Sequence, residues 1–180
     1  MNEMDFYKQV TSFCSFIGDV HSGVIPSKDY LKYEKDSLKK LPFKFDIVNK
    51  RLYILENYSD YNSIIPGCEI LSINNKPALD IINEIITHIA SDGYNLTYKY
   101  HYLAKHLGRY YTRIIGSPDI YNSEIVNYNK QNTNTITVNA KRDNEILIIK
   151  QQKYPSENSP ALDFKVINNQ ISYLRSKPSA

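Results

Sequence analysis

The spacing of apolar residues changes along this chain, and that change limits the folds open to it. Phe43, Phe45 and Ile47 alternate with Lys44, Asp46 and Val48, the period of a strand with one buried face. Asn49-Lys50 can supply a tight turn, and Arg51 to Leu55 resumes the extended pattern, which predicts a hairpin. From Leu79 the steps become three and four. Leu79, Ile82, Ile85, Ile86 and Ile89 share one helical face. Leu96, Tyr100, Leu103, Leu107, Tyr110 and Ile114 continue the rule in a second helix, with Asn95 as its cap and Gly116 and Pro118 as its stop. Helices and strands therefore share one short chain, and the predicted class is α+β.

The rest of the chain reads in the same way. Phe6, Val10, Phe13, Cys14 and Ile17 fall on one face of a helix over residues 4–17, which Gly18 ends. A loop follows to Pro26, and helix is expected within Lys28 to Lys40. Cys68 to Ile73 reads as a strand closed by an Asn74-Asn75 turn. Ile120 to Asn127, Thr135 to Ala140 and Glu145 to Gln151 read as strands, with a polar loop over Tyr128 to Asn134. A Pro- and Ser-containing connector, Tyr154 to Pro160, marks a boundary. Leu162 to Ile167, an Asn168-Asn169 turn and Ile171 to Arg175 make a last hairpin. No internal repeat is present.

At 180 residues, 42% hydrophobic and 23% charged, the chain can bury a real core without staples. Sixteen tyrosines and no tryptophan mean that much of the aromatic packing must tolerate a hydroxyl that seeks a partner. A net charge of +3 does not argue for nucleic acid. No stretch approaches the roughly 20 apolar residues that cross a bilayer. Met1 to Asp5 is polar and acidic, unlike a secretory signal. Cys14 and Cys68 form neither a disulfide framework nor a metal pattern; buried free thiols are the default, and a single bridge stays open.

Few residues suggest chemistry by themselves. His21 sits beside Asp19 in the predicted loop, where a structural or surface role is the ordinary reading. His101 and His106 are five apart and turn to different helix faces, so they do not pair as metal ligands. His88 lies among apolar neighbours and is expected to be partly buried. Lys105, Arg109 and Arg113 form a basic stripe, best explained as a solvated helix face. The six glycines are scattered, so no phosphate-cradling loop exists. No metal or cofactor is expected.

Two stretches carry a family resemblance. The segment from Phe13 to Ser22, ending Gly18-Asp19-Val20-His21-Ser22, resembles the hydrophobic helix and Gly-Asp-x-His-Ser/Thr segment of tail-specific (C-terminal-processing) and tricorn-like serine peptidases. Ile65-Pro-Gly-Cys-Glu-Ile-Leu-Ser-Ile-Asn-Asn-Lys-Pro77 resembles the PDZ signature of those enzymes. Ile171 to Arg175 looks like the first strand of their catalytic core. The resemblance implies three parts: a helical segment 1–40, a PDZ-like module 41–153 with an inserted helical pair, and the first hairpin of a truncated core, 160–180. It implies that His21 is the general base of the intact enzyme. It also implies that Leu41, Phe43 and Phe45 border a peptide site filled by strand addition. The carboxylate-binding loop of such modules matches Leu41-Pro42-Phe43, and Pro42 has no N–H to donate. The module is therefore either a peptide reader or a degenerate domain that packs on the core.

The family's nucleophile is not among these residues. Ser176 and Lys177, adjacent near the end of the sequence, cannot hold a dyad rigidly. The function expected is a non-catalytic recognition or gating part of a serine endopeptidase, with a stand-alone interaction module as the alternative. Its partner would be a polypeptide substrate or its own catalytic domain, with no nucleic acid, in a periplasmic, envelope or secreted setting by resemblance.

Overall fold

A computed structural model of the chain describes residues 2–127 and 133–154, and the backbone of 162–168 and 171–176. Two compact units are present, Met1–Leu147 and Ile148–Ala180.

The first unit opens with α1 (Glu3–Ile17). Asn2 and Asp5 form a reciprocal capping box at its start, and Gly18 closes it with φ +74°, a left-handed conformation that glycine enters cheaply. The helix was expected, but its buried face coincides with the predicted one only at Cys14. Tyr7, Thr11 and Cys14 are buried, whereas Phe6, Phe13, Phe16 and Ile17 are half or more exposed. Counting apolar residues misplaced the rest because the polar atoms of the buried pair find partners, the Tyr7 hydroxyl at Arg113 and the Thr11 hydroxyl at the Tyr7 carbonyl.

α2 (Lys28–Asp36) is capped by the Ser27 hydroxyl. β1 (Phe43–Val48) and β2 (Arg51–Asn57) pair antiparallel around Asn49-Lys50, both at positive φ, as a tight hairpin turn requires. β3 (Glu69–Ile73) and β4 (Lys76–Pro77) turn through Asn74-Asn75 in the same way. α3 (Ala78–Ile86) and α4 (Leu96–Ile114) follow, α4 capped by Asn95. β5 (Ile120–Val126) and β6 (Thr133–Asn139) complete an antiparallel sheet of order β1-β2-β3-β5-β6, with β4 also on β3.

One face of the sheet is buried. Leu52 and Ile54 of β2, Ile70 and Ile73 of β3, and Tyr121 and Ile125 of β5 point into the core. Ile81, Ile82 and Ile85 of α3 and Leu103 and Leu107 of α4 close over them. Each such side chain contributes about 1.5–3 kcal/mol over remaining in water. On α3 the predicted face shifts slightly: Leu79 is exposed, and Ile81 takes its place. Both cysteines are buried free thiols, so the bridge left open by the sequence is absent.

One predicted strand is a helix. Glu145 to Gln151 lies in α5 (Asp143–Lys153). The Arg142 amide donates to Glu145 Oε2 at 2.6 Å, acids occupy the first turn, and Lys150 and Lys153 occupy the last. Leu147 and Ile148 are about half exposed, so no sheet face claims them. A short apolar run such as Ile146 to Ile149 fits either period.

In the second unit, β7 (Leu162–Asn168) and β8 (Ile171–Ser176) pair antiparallel as the expected hairpin. Most of the polar loop over Tyr128 to Asn134, the connector beyond Tyr154 and Lys177 lie outside the described residues. No described helix is long and apolar enough to cross a membrane.

Candidate functional site

The segment carrying His21 is held at both ends. Gly18 leaves α1 in the left-handed region, and its carbonyl accepts the Gly93 amide at 2.8 Å. Asp92, from the α3–α4 connection, accepts the Val20 amide at 3.0 Å. Asp19 organises the turn itself. Its carboxylate accepts the His21 amide at 3.0 Å and the Ser22 hydroxyl at 2.6 Å, and its carbonyl accepts the Ser22 amide at 3.1 Å. The Ser22 hydroxyl, then the His21 amide, hold the Asp19 carboxyl below the usual carboxylate range. Ser22 spends its proton on Asp19, so it forms no dyad with His21. The imidazole of His21 is exposed and makes no hydrogen bond among the described residues.

His21 lies at a cleft of about 290 Å³ bounded by α1, the 20–25 segment, the end of α3 and one side of α4. Tyr7, Thr11 and Cys14 come from α1, and Tyr98, Tyr102 and Tyr110 from α4. The α4 tyrosines form a ladder. The rings of Tyr98 and Tyr102 stack at 5.8 Å, and Tyr110 meets Tyr102 edge-on at 6.0 Å. Burial raises the Tyr110 phenol, helped by neighbouring phenols.

The floor contains a residue whose role the sequence did not reveal. His88 is half-buried, and its Nδ1 lies 3.1 Å from the Lys8 carbonyl and 3.1 Å from Thr11 Oγ1. A carbonyl only accepts, so Nδ1 carries the proton. Thr11 agrees, since its hydroxyl donates to the Tyr7 carbonyl at 2.8 Å and has only lone pairs left for the ring. Nε2 therefore bears the lone pair. Burial lowers the His88 pKa and favours this neutral form. Asp92 also escaped the sequence reading, because residues 72 positions apart share no local signal.

The remaining candidates separate. Leu41, Phe43 and Phe45 are core side chains, exposed by 2%, 6% and 4%, and α4 packs across β1. Among the described residues β1 is paired on one side only, with β2. The basic stripe on α4 is not a uniform solvated face. Lys105 and Arg109 are exposed, but Arg113 is buried and donates to Glu34 Oε2 at 2.6 Å. The His106 ring packs tilted against Tyr102, 4.6 Å between ring centres and 53° between planes, and burial and then Arg109 and Lys105 lower its pKa. Among the described residues, no three His, Cys, Asp or Glu side chains assemble into a group that could hold a metal ion.

No protein-family model matches the chain, and no curated protein is significantly similar to it. A crystal structure of mature CPAF, a tail-specific-protease-like serine protease, is a distant structural neighbour. It superposes with a TM-score of 0.50 at 15% identity, over 77% of this chain. The chain spans about a quarter of that protein, 25% of its length, and the likeness is one of fold.

Proposed function

We propose that this chain is the recognition or gating part of a serine-type endopeptidase, with His21 as the general base of a site completed by other polypeptide. The observation that carries the reading is the loop geometry. The backbone that carries the exposed His21 imidazole is fixed at two amides, that of His21 by Asp19 within its own turn and that of Val20 by Asp92 from the α3–α4 connection, and the ring has no hydrogen-bond partner among the described residues. A base needs this combination of a free nitrogen and a fixed position. The likeness in fold to part of mature CPAF supports it. So does the resemblance of Gly18 to Ser22 to the peptidase segment.

The PDZ-like reading of residues 41–153 belongs to the same proposal. Leu41, Phe43 and Phe45 would serve by shaping β1 and not by touching a peptide, since their side chains are buried. A peptide would add its backbone to the outer edge of β1, which among the described residues is, like β6, an edge strand of the sheet. A free-standing interaction module is a second reading, favoured by a first unit whose sheet and helices close a core of their own.

A serine-directed fluorophosphonate probe tests the absence of a nucleophile. This chain should remain unlabelled, and stoichiometric labelling would refute the reading. The coding sequence beyond Ala180 tests the rest. A downstream strand-to-helix turn bearing a serine is expected. Its absence, with translation ending at Ala180, would leave the interaction module standing.

A further inference from the structure

We infer that the cleft beside His21 is a pocket for one aromatic side chain that carries a hydrogen-bond donor, a tyrosine or tryptophan of a bound polypeptide. This deepens the proposed function and rests on it for the identity of the ligand as a polypeptide. The pocket itself is argued from its walls.

Four observations fix the class of ligand. No Asp, Glu, Lys or Arg lines the cleft, so nothing in it compensates a charged group. Its lining is mixed, polar at Thr11, Ser22 and the two histidines and apolar at Val24, Ile25 and Ile89, with the mutually stacked rings of Tyr98 and Tyr102 among it. A planar ring gains most from such a lining. The volume, about 290 Å³, lies at the lower end of ligand sites, suiting one side chain and excluding a dinucleotide or a haem.

The fourth observation sets the polarity of the tip. His88 spends Nδ1–H on Lys8 and Thr11, leaving Nε2 with a lone pair and no partner among the described residues. A ligand entering the cleft displaces the water that would otherwise satisfy this nitrogen. A phenol O–H or an indole N–H restores the bond. A phenyl ring leaves the acceptor unpaired, the costlier outcome. The cleft thus discriminates tyrosine and tryptophan from phenylalanine, and it sits beside the imidazole that would take the proton of the attacking serine.

The test needs only this chain and three small probes. p-Cresol, 3-methylindole and toluene stand for the tyrosine, tryptophan and phenylalanine side chains. Each is titrated while the imidazole ¹⁵N signals are followed by NMR. p-Cresol or 3-methylindole should bind about tenfold tighter than toluene, the value of one hydrogen bond. Only the donor probes should move the His88 Nε2 resonance toward its hydrogen-bonded position. In His88→Phe the preference should vanish while toluene still binds. If that variant fails to fold, the wild-type Nε2 shift decides the matter. Equal affinity for toluene and the donor probes, no binding of any probe, or a preference that survives His88→Phe would each overturn the inference. Binding is read without catalysis, so the pocket can fail while the peptidase reading stands, and the reverse.

Discussion

Removing the Glu34 carboxylate should cost far more than a surface charge would. Glu34 of α2, Lys40 before β1 and Arg113 of α4 are exposed by only 4%, 6% and 8%. Arg113 Nη2 donates to Glu34 Oε2 at 2.6 Å, and Lys40 Nζ lies 3.8 Å from Glu34 Oε1 and 2.8 Å from Asp143. Arg113 also donates to the Tyr7 hydroxyl at 3.3 Å and stands over the Tyr7 ring at 5.5 Å. Burial works against the Arg113 charge, but the Glu34 carboxylate outweighs it and raises the guanidinium pKa. In Glu34→Ala, Arg113 stays buried and charged without its counter-ion. Breaking such a pair costs about 3–5 kcal/mol. For a chain of this size each kcal/mol moves Tm by about 2–4 °C, so a fall of roughly 6–20 °C is expected. Glu34→Leu combined with Arg113→Met removes both charges at similar volume and should recover most of that loss. Urea and thermal melts of the wild type, Glu34→Leu, Arg113→Met and the double variant close the cycle, with Glu34→Ala measured beside them. A Glu34→Ala variant within about 1 kcal/mol of wild type would refute the argument, because that is the value of an exposed pair.

Other consequences follow from the His21 loop and the half-buried histidines. Gly18→Ala should destabilise by about 1–2 kcal/mol through its φ of +74° alone, since a Cβ there would meet Gly93 Cα at an ordinary 3.5 Å; urea melts and the His21 imidazole NMR signals report both the cost and the loop shift. Asp92→Ala should speed amide exchange at Val20 while leaving the His21 amide protected by Asp19, and uniform exchange of both would show that the two anchors are not separate. Stability should be complete above about pH 6.5 and fall as pH drops below it, because the folded pKa values of His88 and His106 are both lowered and the unfolded chain binds their protons first. His88 is depressed first by burial, the hydrogen bond to the Lys8 carbonyl and then the Glu84 carboxylate oppose it, and the Lys8 ammonium adds slightly, so Glu84→Gln should steepen the loss seen in urea midpoints between pH 7.5 and about 5.5.

Local chemistry was legible wherever a residue's conformation is decided by its neighbours in sequence. Asn49-Lys50 and Asn74-Asn75 announced their turns because asparagine tolerates positive φ and a hairpin demands it. Gly18 and Asn95 marked helix ends for equally local reasons. Period-two and period-3.6 patterns placed most of the sheet and both long helices. Where both periods fitted four consecutive apolar residues, at Ile146 to Ile149, the pattern chose a strand and the chain formed α5.

What the sequence by itself determined, then, is the α+β class, most element boundaries and the candidacy of His21. Only the tertiary structure decided which face of α1 is buried, because that depends on what α4 presents to it. It alone brought Asp92 to the Val20 amide, His88 to the Lys8 carbonyl and Glu34 to Arg113. The reason is physical. Turns, caps and periodicity are short-range properties written within a few residues, whereas a hydrogen bond or ion pair between residues some 70 to 80 positions apart exists only after the core has closed.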